Sequence, residues 1–334
     1  MTRMPLSATE DDNQDERQGS WPYRVHPTGW FQIGWSADIG AEQLVSLRAF
    51  DSDLIAFRDP AGDVRVLDAY CPHLGASLAH GGTLMGGNIV CPFHGWEWSA
   101  EGKNVRIPYS KTVNRAQRIR TWPAREIDGL VYIWHGPDPL SPTWELLAID
   151  QVIERAGFAD RFHGRPVDDL RTWPEARLHP QFITENIVDH AHFHWVHSTR
   201  GPTDLHEYES DGVFFQVRHR FPGQGDTRLM ILASGVGVQV GIFSRRGVLG
   251  HVEVTTATPV DGGRSTLRTS VWSVETDSAF HELAEMQSLE FSKDVVIWEN
   301  MRYVGRPPLV PEEARAFKAL RKWASQFYDD DVAN

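Results

Sequence analysis

Cys71-Pro72-His73-Leu74-Gly75-Ala76 and Cys91-Pro92-Phe93-His94-Gly95-Trp96 contain both cysteines of the 334-residue chain, and seventeen residues separate His73 from Cys91. A Cys2His2 set could hold zinc, but structural zinc sites usually pair Cys with Cys and His with His at separate ends. Here each loop offers one of each. That mixed pairing suits two irons, one held by two thiolates and the other by two imidazoles. Replacing thiolate by neutral imidazole removes negative charge at that iron and raises the reduction potential. The reading is a [2Fe–2S] cluster on Cys71, His73, Cys91 and His94. Gly75, Gly81, Gly82, Gly86, Gly87 and Gly95 permit tight loops whose N–H groups can point at cluster sulfurs.

Around these loops the chain is patterned as short β runs separated by turn residues: Trp30 to Trp35, Leu44 to Phe50, Leu54 to Phe57 and Leu130 to Trp134. Asp59-Pro60-Ala61-Gly62-Asp63 marks a turn between two of them. Gly136-Pro137-Asp138-Pro139 predicts a boundary, giving an all-β domain over 23–140 and a second domain over 141–334. The second domain is expected to be α+β. Alternating runs such as Val213-Phe215-Val217-His219-Phe221, then 228–233, 236–243, 251–256 and 265–274, predict a central antiparallel sheet. Helices are expected over Pro180 to Thr199, Phe280 to Arg302 and Glu312 to Tyr328. The whole chain therefore reads as α+β.

Composition narrows the function. A net charge of −12 argues against nucleic acid or anionic membrane as a partner. Residues 1–22 are acidic and lack an apolar signal core, so a flexible tail is expected there. Nowhere do about 18 apolar residues run without a charge, as a membrane span requires. A cytoplasmic protein is expected.

A second constellation explains the extra length. In Asn186-Ile-Val-Asp189-His190-Ala-His192-Phe-His194-Trp-Val-His197, four imidazoles and a carboxylate crowd onto one expected helix. Two histidines with one carboxylate form the facial triad of non-haem Fe(II) oxygen chemistry, which leaves coordination positions open for O2. Spacing leaves the pair open: His190 and His194 would share a helix face, whereas His192 and His197, about 140° apart, demand a bulge or a helix end. The carboxylate should come from far along the chain. Asp294 lies on an apolar face with Phe291 and Trp298, where its charge calls for a partner, and Glu290 shares that face as the rival.

The two Cys-Pro loops closely resemble the binding boxes of the Rieske family, which implies a β-sandwich for the first domain. The run Asn186-x-x-Asp189-x-x-His192-x4-His197 resembles the motif of Rieske oxygenase catalytic domains. That resemblance assigns the mononuclear Fe(II) to His192 and His197, leaving packing or supporting roles to His190 and His194. Asp294-Val-Val-Ile-Trp298 resembles the third-ligand segment of the steroid-acting members. Together with Ile107-Pro108-Tyr109, Trp122-Pro123 and Ser325-Gln326-Phe327-Tyr328, the chain resembles the oxygenase components of 3-ketosteroid 9α-hydroxylases. The resemblance implies a head-to-tail homotrimer that receives electrons from NADH through a flavin and iron–sulfur ferredoxin reductase. It further implies that Asp189, with Asn186 beside it, bridges His192 to His94 of a neighbouring subunit, and that Phe291 and Trp298 wall a pocket for a steroid-like substrate. The strand region Gly235 to Phe243 shows no match to family pocket residues. The alternatives are a sterol desaturase, an oxygenase of aromatic compounds, and an electron-transfer protein without its own catalytic iron.

Overall fold

The computed structural model describes residues 26–137, 141–159, 165–166, 171–273 and 278–328. The tail expected over 1–22 and part of the Pro-rich boundary lie outside them. The fold is α+β. Three small antiparallel sheets form the first part, and one eight-stranded sheet with flanking helices forms the second.

In the first part the expected strands form at Gly29–Trp35, Val45–Ala49, Ser52–Arg58 and Leu130–His135. The Asp59 turn closes as its Oδ1 accepts from Ala61 N–H at 2.9 Å and Gly62 N–H donates to the Asp59 carbonyl at 2.9 Å. A four-stranded sheet runs Thr83–Met85, Asn88–Val90, Glu97–Trp98 and Asn104–Arg106, and the second Cys-Pro loop connects its two middle strands. Ile55, Leu67, Leu78, Ile89 and Trp98 fill the core beneath both loops.

In the second part all the sheet pairings are antiparallel, and the long strand Val248–Asp261 lies between Val238–Arg245 and Arg264–Ser273. Phe215, Val217, His219 and Phe221 alternate into the interior as expected. Three strands were not expected, the two-residue Arg165–Pro166, then Arg171–Ala176 and Asp204–Asp211. The last is an almost wholly polar edge strand, paired on one side to Phe214–Phe221. An edge strand needs no apolar face to gain its ladder of hydrogen bonds, and exposed charge there blocks further pairing. The short helix Ile149–Arg155 was also missed.

The helix expected over 180–199 is instead two pieces, Pro180–Asn186 and the single turn His192–Trp195. His179 caps the first, its Nδ1 accepting from Gln181 N–H at 3.1 Å, and Pro180 occupies the opening position as predicted. The other helices are Ser278–Trp298 and Pro311–Ala324, the latter continued by a 3-10 turn at Ser325–Phe327.

The two parts share a core. Phe31, Val131 and Ile133 pack with Phe215, Val217, Leu320, Trp323 and Phe327. Beside it Gln32 is bonded through its side chain to Thr256 Oγ1 at 2.7 Å, and Arg268 donates to the Gln32 and Ile33 carbonyls at 2.8 and 2.9 Å. Gly237 permits this approach, because a Cβ there would fall 2.5 Å from the Phe31 ring and 2.6 Å from the Trp30 carbonyl.

Candidate active site

The two Cys-Pro loops share one backbone design. Gly75 N–H donates to the Cys71 carbonyl at 2.9 Å and Cys71 N–H to the Ala76 carbonyl at 2.9 Å; Gly95 and Cys91 repeat this with the Cys91 and Trp96 carbonyls at 3.0 and 2.9 Å. Each glycine turns its loop in the left-handed region, with φ of +76° and +68°, where a side chain would be strained. The loops bring their four side chains together. The His73 and His94 rings lie 4.8 Å apart, and His73 stacks on Trp96 at 4.3 Å. Both cysteines are buried and unoxidised. Burial pushes the Cys71 thiol up, and the adjacent Cys91 adds to this. Nδ1 of His94 is buried without a hydrogen-bond partner among the described residues. Buried thiols facing each other and an orphaned imidazole nitrogen are donors that fit bound metal. Leu74, Phe93 and Tyr109 are exposed around them.

The second set lies where the broken helix meets the long helix Ser278–Trp298. His192, His197 and Asp294 bring one donor atom each to within 4.8 Å of one another. Among the described residues this is the one group of three or more such donors gathered closely enough for a single ion. The break between the helices makes it possible. Asp189 Oδ1 accepts from the N–H groups of Ala191 and His192 at 3.0 and 3.2 Å, capping the short turn, and its carbonyl receives His192 Nδ1–H at 2.5 Å. The carbonyl therefore meets the ring where the carboxylate was expected, leaving Nε2 as the unprotonated nitrogen. Asn186 Nδ2 lies 3.2 Å from that Nε2.

The two carboxylates on the long helix divide the nitrogens of His197. Nε2 faces Asp294 at 3.2 Å, and Nδ1 faces Glu290 at 3.1 Å. Glu290 is also paired with Lys293 at 2.7 Å, and this bond, more than the one to His197, holds its carboxyl below the usual range. Burial lowers His197, but Asp294 and then Glu290 outweigh it and the ring is held above its ordinary value. His192 is lowered, because burial exceeds the pull of Asp189 and Asp294. His194 is occupied elsewhere, with Nδ1–H on the Thr199 carbonyl at 2.6 Å, and neither it nor His190 belongs to the convergent group.

The triad opens onto a cavity of about 630 Å3, within the range of small-molecule sites. Phe291 and Trp298 line its helical side, their rings 5.4 Å apart. The sheet supplies the other lining, including Leu229, Ile231, Gln239, Gly241 and Phe243. The stretch Gly235 to Phe243, which matched nothing in sequence, is thus partly cavity wall. Three further side chains were missed. His251 and Glu253 line the cavity from the strand Val248–Asp261. His219 fixes the segment between the two short helices, its Nε2–H donating to the Ile187 carbonyl at 2.9 Å and its Nδ1 accepting from Thr203 Oγ1 at 2.9 Å. Alternation placed all three inside the sheet, but alternation cannot tell a cavity wall from a packed core.

An iron–sulfur loop pair joined to a two-histidine, one-carboxylate centre defines the class, that of Rieske-type non-haem iron oxygenases. Comparison with known proteins agrees. Residues 29–123 match the Rieske [2Fe-2S] domain, and residues 133–328 match the 3-ketosteroid 9α-hydroxylase C-terminal domain. The chain belongs to this family of Rieske monooxygenases. It is 30% identical to cholesterol 7-desaturase of Xenopus laevis, over 92% of this chain and 73% of the relative. It is 29% identical to a 3-ketosteroid-9-alpha-monooxygenase oxygenase component of Rhodococcus rhodochrous, over 90% and 84%. In fold it is similar to dicamba monooxygenase bound to dicamba, with a TM-score of 0.72 at 19% identity over 92% of this chain and 98% of that one. No helix among the described residues is long and apolar enough to cross a membrane.

Proposed function

We propose that this chain is the terminal oxygenase component of a multicomponent monooxygenase that hydroxylates a steroid-like substrate, with 9α-hydroxylation of a 3-ketosteroid as the favoured reaction. The observation that carries it is the convergence of His192, His197 and Asp294 on a largely apolar cavity. An electron carrier would have no use for either. In this reading Cys71, His73, Cys91 and His94 hold the [2Fe–2S] cluster, and His192, His197 and Asp294 hold one Fe(II). When bound, the cluster would supply single electrons and the Fe(II) would supply the chemistry of O2 activation.

The remaining work belongs to the chain. The Asp189 carbonyl fixes the tautomer of His192, Glu290 does so for His197, and Asn186 stands beside the free His192 nitrogen. Phe291 and Trp298 press the substrate toward the metal and exclude water. Electrons reach the cluster from NADH through a flavin and iron–sulfur ferredoxin reductase, in the cytoplasm. The electron-carrying unit spans 23–140 and the catalytic unit 141–334. The exposed apolar rim of Leu74, Phe93 and Tyr109 and the exposed Trp195 support a head-to-tail homotrimer in which His94 of one subunit meets Asp189 of the next. The Xenopus laevis relative favours a second outcome, desaturation of a sterol in the same cavity. Iron analysis and product analysis test the reading together. About three irons per chain and O2 uptake driven by a steroid with a surrogate reductase are expected. About two irons, or uptake with aromatic acids alone, would sink it.

A further inference from the structure

His251 and Glu253 stand two apart on Val248–Asp261, so their side chains leave the same face of the sheet, and both line the cavity. Their neighbours toward the strand Val238–Arg245 are apolar, whereas Ser273 lies opposite His251 on the other side. Phe243 is stacked on the His251 ring at 4.4 Å, Gly241 lies opposite Glu253, and Leu229 and Ile231 follow one strand further. Arg245 is the one Arg or Lys on the cavity wall among the described residues, and it is exposed at the end of its strand. His251 Nε2 and Glu253 Oε1 are shut off from solvent, stand 3.5 Å apart, and have no hydrogen-bond partner among the described residues. That spacing is too long for a proper hydrogen bond. Buried polar atoms in a native fold are ordinarily hydrogen-bonded, and a couple this loosely matched on a cavity wall leaves hydrogen-bonding capacity that a ligand can complete.

We infer that Glu253, backed by His251, accepts a hydrogen bond from a hydroxyl group of the substrate at the end away from its 3-ketone, so that at that end the enzyme selects an alcohol over the corresponding ketone. The chemistry is directional. One edge of the carboxylate is turned toward the imidazole, the side chain lines the cavity, and 26% of it is accessible. A carboxylate only accepts, so it welcomes an O–H and repels a carbonyl oxygen or a second carboxylate. A small turn of Glu253 as the hydroxyl arrives closes the gap to His251 and pairs all three groups. This inference rests on the steroid-like reading above and specifies the substrate class within it.

The test is equilibrium binding, by calorimetry on the iron-loaded enzyme without reductase, of two matched pairs that all keep the 3-ketone: testosterone with androst-4-ene-3,17-dione, and 20α-hydroxypregn-4-en-3-one with progesterone. In at least one pair the alcohol should bind about tenfold or more tightly than its ketone, as expected where a buried polar group is otherwise left unpaired. Glu253→Leu should bring the alcohol down to the level of the ketone without weakening the ketone. Glu253→Gln, which keeps size and one acceptor, should lose part of the preference while retaining the visible absorption of the cluster as a check on folding. Steroid binding with no preference in either pair, or a preference that Glu253→Leu leaves intact, overturns this inference alone. Binding of dicamba but of none of the four steroids overturns the steroid reading and this inference with it.

Discussion

His197 has a carboxylate on each ring nitrogen, and the two are not equivalent. Glu290 is already neutralised by Lys293, with both carboxylate oxygens 2.7 Å from Nζ. Asp294 is 5% exposed and meets the imidazole of His197, with no Lys or Arg paired to it among the described residues. A buried carboxylate in that position is costly until a metal compensates it. Asp294→Ala should therefore drop the iron content from about three to about two per chain and abolish turnover, with the cluster absorption unchanged. Glu290→Gln should keep the third iron and lose roughly ten- to a hundredfold in affinity for it or in turnover, the usual cost of removing a partner that orients a metal-bound histidine. The reverse pattern in iron analysis would exchange the two roles. Sequence placed both carboxylates on one helix face and could separate them only by resemblance. Which ring nitrogen each one meets depends on the direction of His197, and that direction is set by a chain break some hundred residues away.

The break itself is the element that the sequence half revealed. His192 and His197, five positions apart, do not share a face of a continuous helix, so an interruption was foreseeable, but nothing local between Ile187 and Ala191 marks it with glycine or proline. The interruption is stabilised from outside. Asp189 caps the new turn, and the sheet reaches up to hold the freed carbonyls: His219 takes that of Ile187, and Thr203 N–H takes that of His190 at 3.0 Å. Such long-range bonds leave no periodic trace in sequence, and neither does the polar edge strand Asp204–Asp211. The runs that bury one face were readable, because a half-buried strand must alternate. His219 makes the arrangement sensitive to acid. It is fully buried, and burial lowers it to about 4. In the unfolded chain it takes up a proton near its ordinary value of 6.5, so the stability it contributes is complete above that pH and is lost as the pH falls toward 4. Between pH 7 and 4.5 this amounts to about 2 kcal/mol. Urea denaturation of wild type and His219→Gln should show a gap in stability at pH 7 that narrows by about that amount at pH 4.5, and a constant gap would remove His219 as the acid-sensitive tie.

At the scale of the molecule, the two metal-binding constellations sit over different hydrophobic cores. The Cys-Pro loops rest on Ile55, Leu67, Leu78 and Trp98, and the triad rests on Phe182, Ile183, Val295 and Trp298. The bonds from Gln32 and Ile33 to Thr256, Thr258 and Arg268, with the shared core beside them, tie the two parts rigidly, so a hinge within one chain has little freedom to bring cluster and iron together. In the proposed ring the next subunit solves the problem: a head-to-tail interface places the His94 edge of each chain against the Asp189 segment of its neighbour, and a rotation that closes leaves every subunit with one donor and one acceptor. This makes a sharp prediction about inactive chains. His94→Ala lacks a complete cluster but keeps its triad, and Asp294→Ala lacks the iron but keeps its cluster. Each alone should be inactive. Coexpressed in equal amounts and assembled at random, they should regain about a quarter of wild-type turnover, since about a quarter of the junctions then join an intact cluster to an intact triad. Chains mixed after separate assembly, without exchange of subunits, should regain none. If electrons instead travelled within a chain, every chain in the mixture would still lack one of its two centres, and coexpression would restore nothing.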